Sequence, residues 1–90
     1  MSVGINATGQ VSVTTTAVKI ISANNNRSGL VLYNSGTVTV YLGTIQSTLT
    51  SGTGHALPAG AALTLQADGD IFGITASSSA TVTYLEQVGQ

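Results

Sequence analysis

The chain contains no cysteine and no tryptophan, and only five of its ninety side chains carry a charge at neutral pH: Lys19, Arg27, Asp68, Asp70 and Glu86. Without cysteine there is no disulfide and no thiolate nucleophile, and with one histidine there is no Cys/His set for a structural zinc. Charged residues make up 6% of the chain, where about 25% is usual for a soluble domain. Two basic residues cannot lay a positive track along a phosphate backbone, so nucleic acid is not an expected partner. No run approaches the roughly 20 apolar residues of a membrane-spanning helix, so no membrane is expected either. The first residues lack both the basic and the continuous apolar regions of a secretory signal, which makes the cytoplasm the expected place of synthesis. In that setting the Asn-x-Ser/Thr triplets at Asn6 and Asn26 read as chance.

The inventory for catalysis is equally short: one His and three carboxylates. His55 closes the stretch Ser51-Gly52-Thr53-Gly54-His55 and reads as a solvated loop residue, with no spacing that specifies a Ser-His-Asp triad. Gly52-Thr53-Gly54 is followed by neither the lysine nor the helix of a phosphate-cradling loop. Asp68-Gly69-Asp70 could offer two oxygens to calcium, far short of the six to eight a good site needs, and reads as a tight turn. The sequence therefore predicts no enzyme, with no catalytic, cofactor-binding or metal-binding residue.

What is present is β-strand patterning on a neutral background. In Thr37-Val38-Thr39-Val40-Tyr41-Leu42, Val38, Val40 and Leu42 share one face and Thr37, Thr39 and Tyr41 the other, the period-2 signature of a half-buried strand. Residues 11–14, 62–66 and 80–85 alternate similarly and are rich in β-branched residues. Residues 18–21, 29–33 and 71–74 are more continuously apolar, which predicts strands covered on both faces or facing a neighbouring subunit. Asn34-Ser35-Gly36 reads as a short hairpin turn with Gly36 or Asn34 free to adopt positive φ. Pro58-Ala59-Gly60 reads as a turn with proline second. No segment has a sustained 3.6 period with caps. The expected fold is all-β: one small β-sandwich or barrel of jelly-roll or Greek-key type with about seven to eight short strands.

Two regions fall outside this pattern. Residues 44–57, rich in Ser, Thr and Gly, read as a long loop with at most one weak strand at 47–50, facing solvent or another subunit. Residues 1–10 read as an extended N-terminal arm ahead of a single sandwich domain at 11–90. Val3 and Ile5 have no clear apolar partner in the chain, so the arm either docks on another surface or is a frayed end. Arg27 suits a bidentate pair with Asp68, Asp70 or Glu86, within the subunit or across an interface. Tyr41, sharing a face with threonines, reads as an exposed contact residue. Val3, Ile5, Arg27 and Tyr41 are thus the interface candidates. A net charge of about −1 gives little protection against self-association, which makes a homo-oligomer the expected state.

The order of segments is also familiar. Val18-Lys19-Ile20-Ile21-Ser22-Ala23-Asn24, Arg27-Ser28-Gly29-Leu30-Val31-Leu32-Tyr33-Asn34, Val40-Tyr41-Leu42-Gly43, Leu57-Pro58-Ala59-Gly60 and the closing Tyr84-Leu85-Glu86 resemble the small β-sandwich virion proteins of tailed bacteriophages. The resemblance spans residues 14–86 and is one of layout, without an invariant chemical motif. Many such proteins are capsid decoration, or cement, proteins. The resemblance implies a homotrimer on the outer capsid surface of the virion that bridges major capsid protein subunits and stabilises the phage head. The alternative it leaves open is a host-adhesion or carbohydrate-binding module of a phage fibre or tail.

Overall fold

The computed structural model describes residues 3–24, 27–65 and 69–89, and the side chains of residues 8–24, 27–65 and 69–87 among them. Among these residues there are eight strands: β1 (Val3–Val13), β2 (Val18–Ile21), β3 (Arg27–Asn34), β4 (Val40–Gly43), β5 (His55–Leu57), β6 (Ala62–Leu65), β7 (Ile71–Thr75) and β8 (Ala80–Gly89). They form two four-stranded antiparallel sheets, ordered β1-β8-β3-β6 and β2-β7-β4-β5. Successive strands cross from one sheet to the other everywhere except between β4 and β5, which makes the sandwich a jelly roll.

The core follows from period-2 alternation on the two inner faces. Val13, Leu30, Leu32, Ala80 and Val82 from the first sheet meet Ile20, Ile21, Val40, Leu42, Leu57 and Ile71 from the second, all buried. At about 25 cal/mol per Å² of apolar area, these side chains are the main source of stability. A register shift between Lys19 and Ile21 lets the adjacent Ile20 and Ile21 both be buried. Gly73 leaves room for its neighbours in the core, since a Cβ there would lie 2.8 Å from Ile20 and 3.2 Å from Val40 on the flanking strands and 3.4 Å from Val13 of the facing sheet.

Several expectations change. Asn34-Ser35-Gly36 is not a hairpin, because β3 and β4 belong to different sheets. Neither Asn34 nor Gly36 has positive φ. Glycine is needed at 36 because a Cβ would lie 2.5 Å from that of Ala80. Pro58 takes the first rather than the second position of its turn, closed by Ala61 N–H to Pro58 C=O at 3.0 Å. Gly60 then stands third with φ +78°, where an L side chain is strained. Residues 44–57 hold a 3-10 helix, Gln46–Thr48, and strand β5 instead of a strand at 47–50. The expected arm from Val3 onward is the first part of β1, in register with β8 from Val3↔Gly89 to Val13↔Ala80, with a bulge between Ile5 and Ala7. Met1 and Ser2 of that arm, Gln66 of the 62–66 strand, Asp68 of the Asp-Gly-Asp turn and Asn26 of the second Asn-x-Ser/Thr triplet lie outside the described residues.

Candidate functional site

The antiparallel order places the β1–β2, β3–β4, β5–β6 and β7–β8 connections at one end of the sandwich and the other three at the opposite end. The first end is closed by Asn34, whose side chain is fully buried. Its amide donates to the carbonyls of Val38 (2.8 Å) and Leu57 (2.9 Å), and its side-chain oxygen accepts from Gly36 N–H (3.0 Å). One amide thus ties the end of β3 to the segment leading into β4 and to the end of β5.

The second end is held by Arg27. Its side chain is inside the domain, with the residue 5% exposed and its partner Glu86 4% exposed. Nε donates to Glu86 Oε2 at 2.8 Å, Nη1 to the Gly69 carbonyl at 3.0 Å, and Nη2 to the Ser22 carbonyl. Nearby, Asp70 accepts from Ala23 N–H at 2.6 Å and lies 3.9 Å from Lys19 Nζ. Among the described carboxylates that suited Arg27 by sequence, Glu86 pairs with it, and the contact lies within the chain. Arg27 is therefore a structural group in the single subunit, not a surface one. Lys19 also lies 5.8 Å from the centre of the Phe72 ring.

The outer face of the second sheet is partly covered by the chain itself. Residues 44–54 fold back as a flap, and buried Leu49 joins Ala17 and Phe72 in a second apolar cluster against which Ile74 lies. Gln46 Nε2 donates to the Ala17 carbonyl at 2.9 Å and fixes the flap across the sheet. Gly43 and Gly54 leave the room it needs, since a Cβ at either would lie within 3.0 Å of Leu49. Tyr41 is on this outer face, opposite Ile74 and Ala56, and is half-buried. The expected exposure of the long loop holds for its polar side chains and fails for Leu49 and Leu57.

The outer face of the β1-β8-β3-β6 sheet is open. Cross-strand register lines up Gln10, Thr83, Tyr33 and Ala62 in one row, flanked by Thr8, Leu85, Val31 and Thr64 toward the second end and by Ser12 and Thr81 toward the first. No residue in these rows is charged. Tyr33 is 42% exposed near the middle of the face. Sequence reasoning missed Tyr33 because it sits in the run Leu30-Val31-Leu32-Tyr33, which reads as buried on both faces. Val3 and Ile5 lie on β1, the free edge of this sheet. Thus the structure assigns the sequence candidates to three places: Val3 and Ile5 to a sheet edge, Tyr41 to the flap-covered face, and Arg27 to the interior.

Among the described residues no three His, Cys, Asp or Glu side chains group as metal ligands. No helix among them is long and apolar enough to cross a membrane. His55 is exposed at the start of β5, opposite Leu42. No family model, curated relative or solved structure matches the chain.

Proposed function

We propose that this protein is a structural virion component, a capsid decoration protein that stabilises a phage head by bridging major capsid protein subunits as a homo-oligomer. The observation that carries the reading is the outer face of the β1-β8-β3-β6 sheet, whose rows contain hydroxyls, an amide, small side chains, Val31, Leu85 and one exposed tyrosine, with no charge. Covering such a face strips water from no ion, and hydroxyls and amides can exchange water for neighbouring backbone groups at little cost. The jelly-roll topology and the phage-like order of segments support the same reading. Copies repeated over a lattice sum weak contacts into durable attachment.

The test is co-sedimentation with capsids that lack the protein. Binding should saturate at a fixed copy number and fall at least about tenfold in Tyr33→Asp, because an interface centre tolerates an unpaired charge poorly. The variant should keep its fold, since Tyr33 is already open to water. Failure of the wild type to bind, or binding indifferent to Tyr33→Asp, overturns the proposal. A host-adhesion or carbohydrate-binding role is the second reading. It is favoured by Tyr33 standing in line with Thr83 and Gln10, a ring beside polar groups that could hold a neutral sugar. Capture on a glycan array without capsid binding would select it.

A further inference from the structure

At the second end of the sandwich, on the side of the edge strands β5 and β6, the two sheets part and leave an apolar groove of about 390 Å³. Leu42 and Ile71 form its floor and the half-buried Leu63 and Leu65 one wall, with His55 at the rim. The polypeptide leaves the groove through Thr44 directly into Ile45, which is 58% exposed. Tyr33 and Ile45 are the large hydrophobic side chains exposed among the described residues.

Ile45 is not at the tip of a loose loop. Its backbone is extended (φ −126°, ψ 114°) and it immediately precedes the 3-10 helix Gln46–Thr48. The next side chain, Gln46, is bound to the Ala17 carbonyl, and Leu49 is buried beneath the flap. The isoleucine is therefore held out to water by an anchored segment, so little ordering remains to be done when it is covered.

We infer that the groove is a contact surface between two copies of this chain, each inserting Ile45 into the groove of the other. The occupant follows from what the chain itself offers: an exposed aliphatic side chain and an open aliphatic groove, one residue apart. Because knob and groove adjoin, a two-fold axis beside Thr44 satisfies both at once, which is the self-complementary form of contact. Among the described residues, neither the groove lining nor Thr44 to Thr48 includes a charged side chain, so these surfaces meet without like-charge repulsion. Edge strand β6, Ala-Leu-Thr-Leu, has neither the charge nor the proline that commonly guards a free edge. Knob and groove alone cover far less than the roughly 800 Å² per partner of a stable dimer. The pair is accordingly a weak dimer in solution that strengthens when copies are held side by side on a larger body. The contact depends only on the chain's own surface and stands apart from the virion reading.

Sedimentation velocity of the purified chain between about 10 µM and about 1 mM tests it, a range suited to a contact of this size. The expected result is a monomer–dimer equilibrium that Ile45→Ser weakens by at least about tenfold with an unchanged melting temperature. The absence of native cysteine allows a second test: Ile45→Cys copies mixed with His55→Cys copies should form a mixed disulfide on mild air oxidation. Mixing Ile45→Cys with Ser77→Cys, at the far end, should not. A wild type that stays monomeric throughout, an oligomer indifferent to Ile45→Ser, or an Ile45-dependent species of other than two copies overturns the inference.

Discussion

Arg27 and Asn34 divide the work of holding the sandwich ends, and both do so by hydrogen-bonding to backbone on more than one element. Their burial is tolerable because the polar demand is met: among the described residues no buried side-chain nitrogen or oxygen is left without a partner. Removing the guanidinium in Arg27→Ala leaves the Glu86 carboxylate inside the domain without its counter-charge, a change that typically costs about 3–5 kcal/mol. Against a total of about 5–15 kcal/mol for a domain, this should move the urea midpoint sharply down. Arg27→Met combined with Glu86→Leu removes both charges together and should recover most of the loss, since apolar replacements of buried pairs are often near neutral. A double variant as unstable as Arg27→Ala would show that the carbonyl contacts to Ser22 and Gly69, and not the ion pair, carry the effect. The charged chemistry of Arg27 was readable from sequence, as was the set of acids it could meet. Its depth was not, because burial of a lone basic residue is decided by which loops close over it. Asn34 read as a turn residue, and its side chain instead completes hydrogen bonds that a hairpin would have supplied from backbone.

At the scale of elements, strands with clean alternation were legible: Val38, Val40 and Leu42 do share the inward face, although β4 begins only at Val40. What escaped was β5, three residues within a Ser/Thr/Gly-rich stretch, and the first half of β1, where Gly4, Asn6 and Gly9 break the period. Gly9 has its own reason. A Cβ there would lie 2.5 Å from the Tyr84 hydroxyl, so the tyrosine ring occupies the space a side chain on β1 would need. The flap was invisible for another reason, since Ile45 and Leu49 alone among polar residues carry no strand period. Yet Leu49 explains why β7, with Phe72 and Ile74 pointing outward, can be apolar on both faces. Leu49→Ala removes the flap's main apolar anchor and should destabilise the domain by about 2–4 kcal/mol, within the range for buried leucine. More tellingly, proteolysis should begin between residues 44 and 54 in the variant and not in the wild type. Equal cleavage in both would mean that the Gln46 bond alone holds the flap.

Over the whole molecule the consequence of scarce charge is now concrete. The four described charged groups form two ion pairs, Arg27–Glu86 inside and Lys19–Asp70 at the second end. Among the described residues, neither the open sheet face nor the Ile45 groove contains a charged one. The topology itself was legible as a class, with the eight-strand jelly roll among the expected forms. The pairing of β1 with β8, which joins the two ends of the chain, has no local signature and emerges only from the closed sandwich. Contacts made by neutral faces should scarcely respond to screening. Raising sodium chloride from about 50 to about 500 mM shortens the Debye length from about 14 to about 4 Å. Self-association and capsid binding should nevertheless change by less than about twofold. Ammonium sulfate, which strengthens apolar burial by exclusion from protein surface, should tighten both. These responses are read in the same sedimentation experiments. A steep loss of binding with sodium chloride would place charged groups of the partner at the interface, against Lys19 or Asp70, and would move the functional surface from the open sheet to the second end of the sandwich.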